Sequence, residues 1–460
     1  MKELVLLSSL GVLSLIAGLL RIRKPFYAIV VLGLIANIGL CLFDWNATSC
    51  GASEHIYNMM VVNHFTLAFS LISSIIALLW LLANANFFST DNTFSDHFAL
   101  MLFSMTGGFL MLSFTNMVIL FLGIEILSIP LFVLAGSNKT NLTSNEAAYK
   151  YFLLGAFASA FLLFGITLIY GSTGHFDTTG IAEYFKQNNN NGMAITGMIL
   201  MLAAMTFKVS AAPFHFWAAD VYQGAPTPVT TFMATFVKTI AFAGFFKLFH
   251  DCFMPLNSNI AQLLAIFAAT TMLIANFTAS VQSNAKRLLA FSSISHAGFM
   301  LVTILCVEQQ TAGILLYYAF VYSLSSIIAF TIYKVVKEHH NEDESIDAYN
   351  GLFKNNPLLS VIMILALLSM AGIPPMPGFM AKYLVFASAM QNGYVWIALI
   401  GILGSVIGVY YYFKMVLNMF KQSAEMPHIK VGNLQLYVLL LCVFGLIALM
   451  LFPNAVIGLI

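Results

Sequence analysis

Apolar runs long enough to cross a bilayer follow one another along almost the whole chain. About 20 apolar residues in a helix span the hydrocarbon core. Fourteen such runs can be drawn, near residues 4–20, 25–43, 63–82, 98–114, 116–135, 146–170, 193–218, 228–250, 259–280, 287–306, 311–333, 357–389, 393–413 and 434–452. The fourth and fifth are parted only by a tight connection near Thr115 and Asn116, and the twelfth is long and interrupted. The predicted fold class is all-α, a polytopic membrane protein of about fourteen transmembrane helices. Thr143 and Glu146 are spaced as a capping box opening the sixth.

Composition supports this reading: 60% of the 460 residues are hydrophobic and 8% charged, too few charges to solvate a soluble domain of this size. The placement of those charges sets an orientation. If Arg21, Arg23 and Lys24 face the cytoplasm, fourteen crossings also put Lys139, Lys286, Arg287, Lys334, Lys337, Lys354, Lys421 and Lys430 there, with Lys2 and Lys186 opposite. That asymmetry is the positive-inside pattern. Both termini then lie outside. The N-terminal run, followed by no small-residue cleavage site, reads as the first span rather than a signal peptide.

The cysteines (Cys41, Cys50, Cys252, Cys306, Cys442) show no CxxC or Cys/His ligand spacing, so neither zinc nor an iron–sulfur cluster is indicated. Cys41, Cys306 and Cys442 read as small apolar residues inside spans. No Walker motif or strand-borne GxGxxG fingerprint supports nucleotide binding. The tract from Gln187 to Asn191 and the EHHNEDES run with His339 and His340 read as solvated loops, the latter in preference to a metal site.

Four charges remain in the wrong place. Glu125 lies in the fifth run, Lys208 in the seventh, Lys238 in the eighth and Lys382 in the twelfth. Each costs about 2.5–3.5 kcal/mol at mid-helix on insertion scales, which marks such residues as functional. Two of them stand beside a helix that cannot be continuous. Pro213 follows Lys208, and a proline there removes a hydrogen bond and clashes with the preceding turn, so the helix should break near Ser210 to Pro213. Gly224, Pro226 and Pro228 crowd the connection beyond it. SMAGIPPMPGFMAKY places Gly372, Pro374, Pro375, Pro377 and Gly378 just before Lys382. Two interrupted helices in matching places point to inverted repeats with a site at mid-membrane.

Burial disfavours the charged form of lysine and glutamate alike, and a nearby opposite charge favours it. A lysine whose carboxylate partner moves away can therefore release its proton. Lys208 reads as the gated carrier, Glu125 as its modulating partner, Lys238 as the next station and Lys382 as the group passing protons outward. The competing structural reading is a static Glu125–Lys208 pair, which would gain little over apolar packing. His296, among the hydroxyls of AFSSISHAGFM, suits a relay between Lys238 and Lys382. Lys150 either admits protons at the inner end or snorkels to the interface. Lys247 and Lys414 read as snorkelling, and His215 as structural.

FHFWAADVYQGAPTPVTTFMATFVK at 214–238, GIEILSIPLFVL at 123–134, KRLLAFSSISHAGFM at 286–300 and GIPPMPGFMAKY at 372–383 resemble the antiporter-like membrane subunits of respiratory complex I. These are similar to subunits of multi-component sodium/proton antiporters. Within the group the chain resembles the N type of bacterial NADH:quinone oxidoreductase, the counterpart of mitochondrial subunit 2. L- and M-type relatives usually lack the VYQGAP run, and the M type has a glutamate where Lys382 stands. The likeness runs from about Met101 to Phe420.

The resemblance implies two inverted five-helix repeats, giving an N-terminal three-helix segment 1–97, repeats over 98–250 and 251–420, and a last helix in 421–460. It implies that Glu125, Lys208, Lys238 and Lys382 correspond to the family's key ionisable residues. It further implies a proton-translocating membrane-arm subunit of the bacterial inner membrane, a translocase component with no redox centre of its own. Flavin, iron–sulfur clusters and quinone would sit on partner subunits. Partners would be the L-, M- and K-type chains, the lipid bilayer and protons, with no nucleic acid. A subunit of a cation/proton antiporter without a redox partner is the alternative, against which the VYQGAP loop speaks.

Overall fold

The computed structural model describes residues 2–20, 24–48, 54–89, 94–188, 191–254, 258–307, 309–340, 342–422 and 428–460. Arg21, Arg23, Cys50 and positions 189–190 and 341 of the two polar loops lie outside the described residues. The main helices are α1 (Lys2–Leu19), α2 (Lys24–Thr48), α3 (His64–Ala83), α4 (Phe94–Ser113), α5 (Met117–Ala135), α6 (Leu142–Thr173), α7 (Gly192–Lys208) and α8 (Phe216–Gly224). There follow α9 (Thr227–Cys252), α10 (Ser258–Ser280), α11 (Ala285–Leu305), α12 (Gln309–His339), α13 (Pro357–Ala371), α14 (Pro377–Gln391), α15 (Val395–Phe420) and α16 (Asn433–Leu451). Every apolar run of the sequence falls on this set, so the protein is an all-helical, multi-span membrane protein. Eleven of the described helices are long and apolar enough to cross a bilayer. The figure of fourteen depends also on α4 and on joining α7 to α8 and α13 to α14, and remains an expectation.

The centre of the bundle is α9 and α11, whose apolar windows are wholly buried, with α12 nearly so. α1, α6 and α16 are buried over only a third of theirs and form the periphery. Small residues set the closest approaches, as in other membrane bundles. A Cβ on Gly107 of α4 would come 2.3 Å from Leu127 N, and one on Gly123 of α5 would come 2.6 Å from Met111 N. This pair of glycines presses α5, and with it Glu125, against α4.

Two short straps tie loops to helix starts. Asn116 caps α5 and bridges Asp177, with Met117 N donating to Phe176 O and Thr178 N to Thr115 O, both at 2.9 Å. Asn284 caps α11 and bridges Ser345, with Ala285 N donating to Glu344 O and Ile346 N to Ser283 O, both at 2.8 Å. A hairpin of β1 (Glu54–Ile56) and β2 (Met60–Val62) joins the first strap through Thr115 N and Met59 O.

One local expectation is corrected. Thr143 and Glu146 form no capping box, because the helix starts earlier: Asn141 is the N-cap and accepts from Thr143 N. Asparagine is the stronger cap at that place, and Glu146 turns to Lys150 instead.

Candidate functional site

The first break falls where Pro213 predicts it. α7 ends on Lys208, Ser210 takes a left-handed conformation (φ 62°), and α8 begins at Phe216. The groups freed by the cut find other partners: Ala212 N donates to Thr271 Oγ1 of α10 at 2.9 Å, and Trp217 Nε1 to Phe207 O at 3.2 Å. Lys208 thus stands at the negative end of a helix dipole, where a cation is favoured. Its Nζ donates to Ser128 Oγ of α5 at 2.8 Å and lies 5.9 Å from the centre of the Phe132 ring. Ser128 is one turn beyond Glu125. Glu125 is partly buried, accepts a short hydrogen bond from Ser159 of α6, and lies within electrostatic reach of Lys208. The two do not form an ion pair, so the static-pair geometry is not the one adopted.

Lys238 is 3% exposed on α9 and follows directly on a π turn at Met233–Val237. Such turns recur at functional sites. Its Nζ donates to Ser293 O at 2.7 Å and to Ser293 Oγ at 2.5 Å, below the Tyr322 ring at 5.8 Å. One turn along α11 from Ser293, His296 is buried between two tyrosines. Its Nδ1 lies 2.8 Å from Tyr318 OH and its Nε2 3.2 Å from Tyr412 OH, and Tyr412 OH bonds Ser292. The ring lies within electrostatic reach of both Lys238 and Lys382. A void of ≈ 10 Å³ beside it, walled by Tyr318, Tyr322 and Ser325, is about the room one water needs.

The second break runs from Gly372, left-handed at φ 79°, to Met376 before α14. Lys382 is buried, and its Nζ reaches back to Ala371 O, the last residue of α13, at 2.8 Å with the Phe299 ring 5.0 Å away. It lies across the bare face of Gly372, where a Cβ would come 2.8 Å from Lys382 Cδ.

Lys150 belongs to a separate cluster at one end of the bundle. It pairs with Glu146 and Asp220, both at 2.7 Å, and Arg287 of α11 holds the other Asp220 oxygen at 2.9 Å. Lys286 caps the end of α8 through Gln223 O and Ala225 O. Asp220 lies beyond the seventh apolar run. Partial burial works against its charge, but hydrogen bonds from Lys150 and Arg287 hold its carboxyl below the usual value. On the second strap Glu344 behaves alike: burial opposes the charge, and bonds from Lys337 and Asn284 outweigh it. Lys247 is corrected: it is 4% exposed and paired with Asp251 rather than snorkelling.

The structure therefore brings Glu125 near Lys208, and His296 between Lys238 and Lys382, and sets Lys150 apart. Sequence reasoning missed Ser128, Ser159 and Ser293. The first and last were readable as hydroxyls one turn from Glu125 and His296. Asp220, Arg287 and Tyr412 gave no local signal, because their partners come from distant helices.

Residues 114–408 match the family described as NADH:quinone oxidoreductase/Mrp antiporter, transmembrane. The chain is 42% identical over 425 residues to the NADH-quinone oxidoreductase subunit N of Cytophaga hutchinsonii, covering 91% of this chain and 90% of that one. Its fold is similar to a chain in the respiratory complex I of Thermus thermophilus with bound aureothin, with a TM-score of 0.85 and 30% identity, over 99% of this chain and 98% of that chain. It is similar also to a chain of the Mrp complex from a Dietzia species, with a TM-score of 0.88 and 18% identity, over 100% and 96%.

Proposed function

This chain belongs to the NADH:quinone oxidoreductase/Mrp antiporter family of membrane subunits, and we propose that it is the proton-translocating N-type subunit of a NADH:quinone oxidoreductase. One observation carries the transport reading. Lys208, Lys238 and Lys382, the lysines of the bundle's middle, each bond to a hydroxyl or a main-chain carbonyl and, among the described residues, to no carboxylate. Towards the ends, Lys150, Lys247 and Lys337 pair with acids, while Lys286 and Lys414 rest on main-chain carbonyls. A hydroxyl accepts from an ammonium and donates to a neutral amine equally well. Ser128 and Ser293 can therefore hold their lysines through loss and return of a proton.

In this reading protons enter near Lys150, Lys208 is gated by Glu125, and Lys238, His296 and Lys382 follow. Oxidation of NADH and reduction of quinone belong to other subunits, and this chain carries no redox centre. The two straps support the division into repeats 98–250 and 251–420. Each joins the connection before a set's second helix to the connection after its third, once at the outer level and once at the inner. Glu125 is only partly buried, beside exposed Leu122, Ile129 and Phe157. A mid-membrane carboxylate is not left to lipid, so this face suits packing against another membrane-arm subunit, of the L, M or K type. The likeness to a Mrp chain at 18% identity extends to fold alone and leaves the antiporter reading second.

The test is Lys208→Ala and Lys208→Arg in the assembled complex, reconstituted in sealed vesicles. Both variants are expected to assemble and lose NADH-driven proton transport, arginine failing because it cannot release its proton. Normal transport in either variant removes Lys208 from the path.

A further inference from the structure

The outer end of α9 carries a cluster that none of these roles uses. Lys247 stands nine residues beyond Lys238, about 13 Å further along the axis at 1.5 Å per residue. Its Nζ lies 2.5 Å from Asp251 Oδ2, one turn on. The other oxygen of that carboxylate lies 2.8 Å from His250 Nδ1. All three line a cavity of ≈ 320 Å³, room for many waters. The start of α3 contributes His64, whose buried Nδ1 has no hydrogen-bond partner among the described residues, and the start of α12 contributes Ala312. On the neighbouring strap Asp177 lies within electrostatic reach of Cys252.

A merely structural pair has no need of this setting. Burying a lysine with its acid gains little over apolar packing, and here the acid is shared with a histidine and opened to a space large enough to hold water. Among the described residues Lys247 is the buried lysine of α9 that has a carboxylate, while Lys238 has none.

We propose that this cavity is the outer proton vestibule of the chain, with Asp251 passing protons between Lys247 and the cavity's water and His250 serving as a second acceptor. The inference rests on the transport reading above and adds to it an outer opening on the helix that carries Lys238. A proton leaving the Lys247 ammonium protonates the Asp251 carboxylate, giving a neutral amine and a neutral acid. The acid then yields that proton to His250 or to water and becomes a carboxylate again.

Asp251→Asn and the double variant Lys247→Met/Asp251→Asn are to be compared with the unaltered complex in sealed vesicles. NADH-driven proton transport is expected to fall about tenfold in both, within the contribution of a positioned proton-transfer group. The double variant leaves no charge unpaired, so a structural pair would tolerate it. Normal transport in the assembled double variant overturns the proposal. Should neither variant assemble, the unaltered complex decides: a water-soluble carbodiimide added to the outer side is expected to label Asp251, and absence of labelling overturns the proposal. Lys238→Ala is run alongside. If transport survives that change too, the transport reading itself has failed, whereas loss there with normal transport in the double variant rejects the vestibule alone.

Discussion

At the break between α7 and α8 the lysine is the last residue of the cut helix, whereas at the break between α13 and α14 it lies on the far piece and folds back over Gly372 to the cut end. The first break uses Ser210 for its left-handed turn, the second a glycine. Lys208 has a carboxylate in its surroundings and is only partly buried, while Lys382 is deeply buried beside a ring and a carbonyl. Both nevertheless set an ammonium at the negative end of a half-helix, where free carbonyls and the dipole favour it. One electrostatic device is thus built from two different residue orders. The surroundings differ accordingly: the first lysine has Glu125 within electrostatic reach, and the second meets the carbonyl end of its own broken helix.

The largest effect expected from breaking this comparison is that of Lys382→Ala. If both breaks serve one path, this variant should lose NADH-driven proton transport as completely as Lys208→Ala while the complex still assembles. Transport that survives in vesicles would make the second break structural. An intermediate effect is expected from exchanging the turn residues. Gly372→Ala forces a side chain into the left-handed region at about 1–2 kcal/mol and meets Lys382 Cδ at 2.8 Å. It should lower the unfolding temperature and impair transport together. Ser210→Gly relieves the same kind of strain and should leave the unfolding temperature equal or higher, by up to about 1 kcal/mol. Thermal unfolding of the two variants side by side checks the pair.

The smallest effect concerns Asp220 and Glu344, which are held by cations. Both carboxyls lie below their usual values in the folded chain. The stability they contribute is present above the ordinary carboxylate value, about pH 4, and is lost as pH falls through the folded value. Being partly exposed, each is worth no more than about 1 kcal/mol. Acid titration of the unfolding temperature should show a shallower fall in Asp220→Asn and Glu344→Gln than in the unaltered chain.

Much of the site was legible along the chain, for a reason particular to membranes. A charge in an apolar run is so costly that Glu125, Lys208, Lys238 and Lys382 stood out without a structure, and Pro213 and Gly372 marked the breaks because their backbone limits are local. Ser128 and Ser293 were harder, since hydroxyls are common in spans and only the spacing of one turn hinted at them. Lys247 was misread because a lysine near a span end usually reaches outward, and its neighbour Asp251 drew no attention as a partner.

By itself, then, the sequence determined the helical bundle, the interruptions and the ionisable groups at the middle of the spans. These follow from hydropathy, backbone restriction and the cost of charge, all of which act within a few residues. Only the tertiary structure decided which oxygen each lysine meets, that Glu125 stands off from Lys208, and that Asp220 joins Lys150 to Arg287. Those contacts join helices far apart in the chain, and which side chains meet is fixed by how closely the small residues let the helices pack.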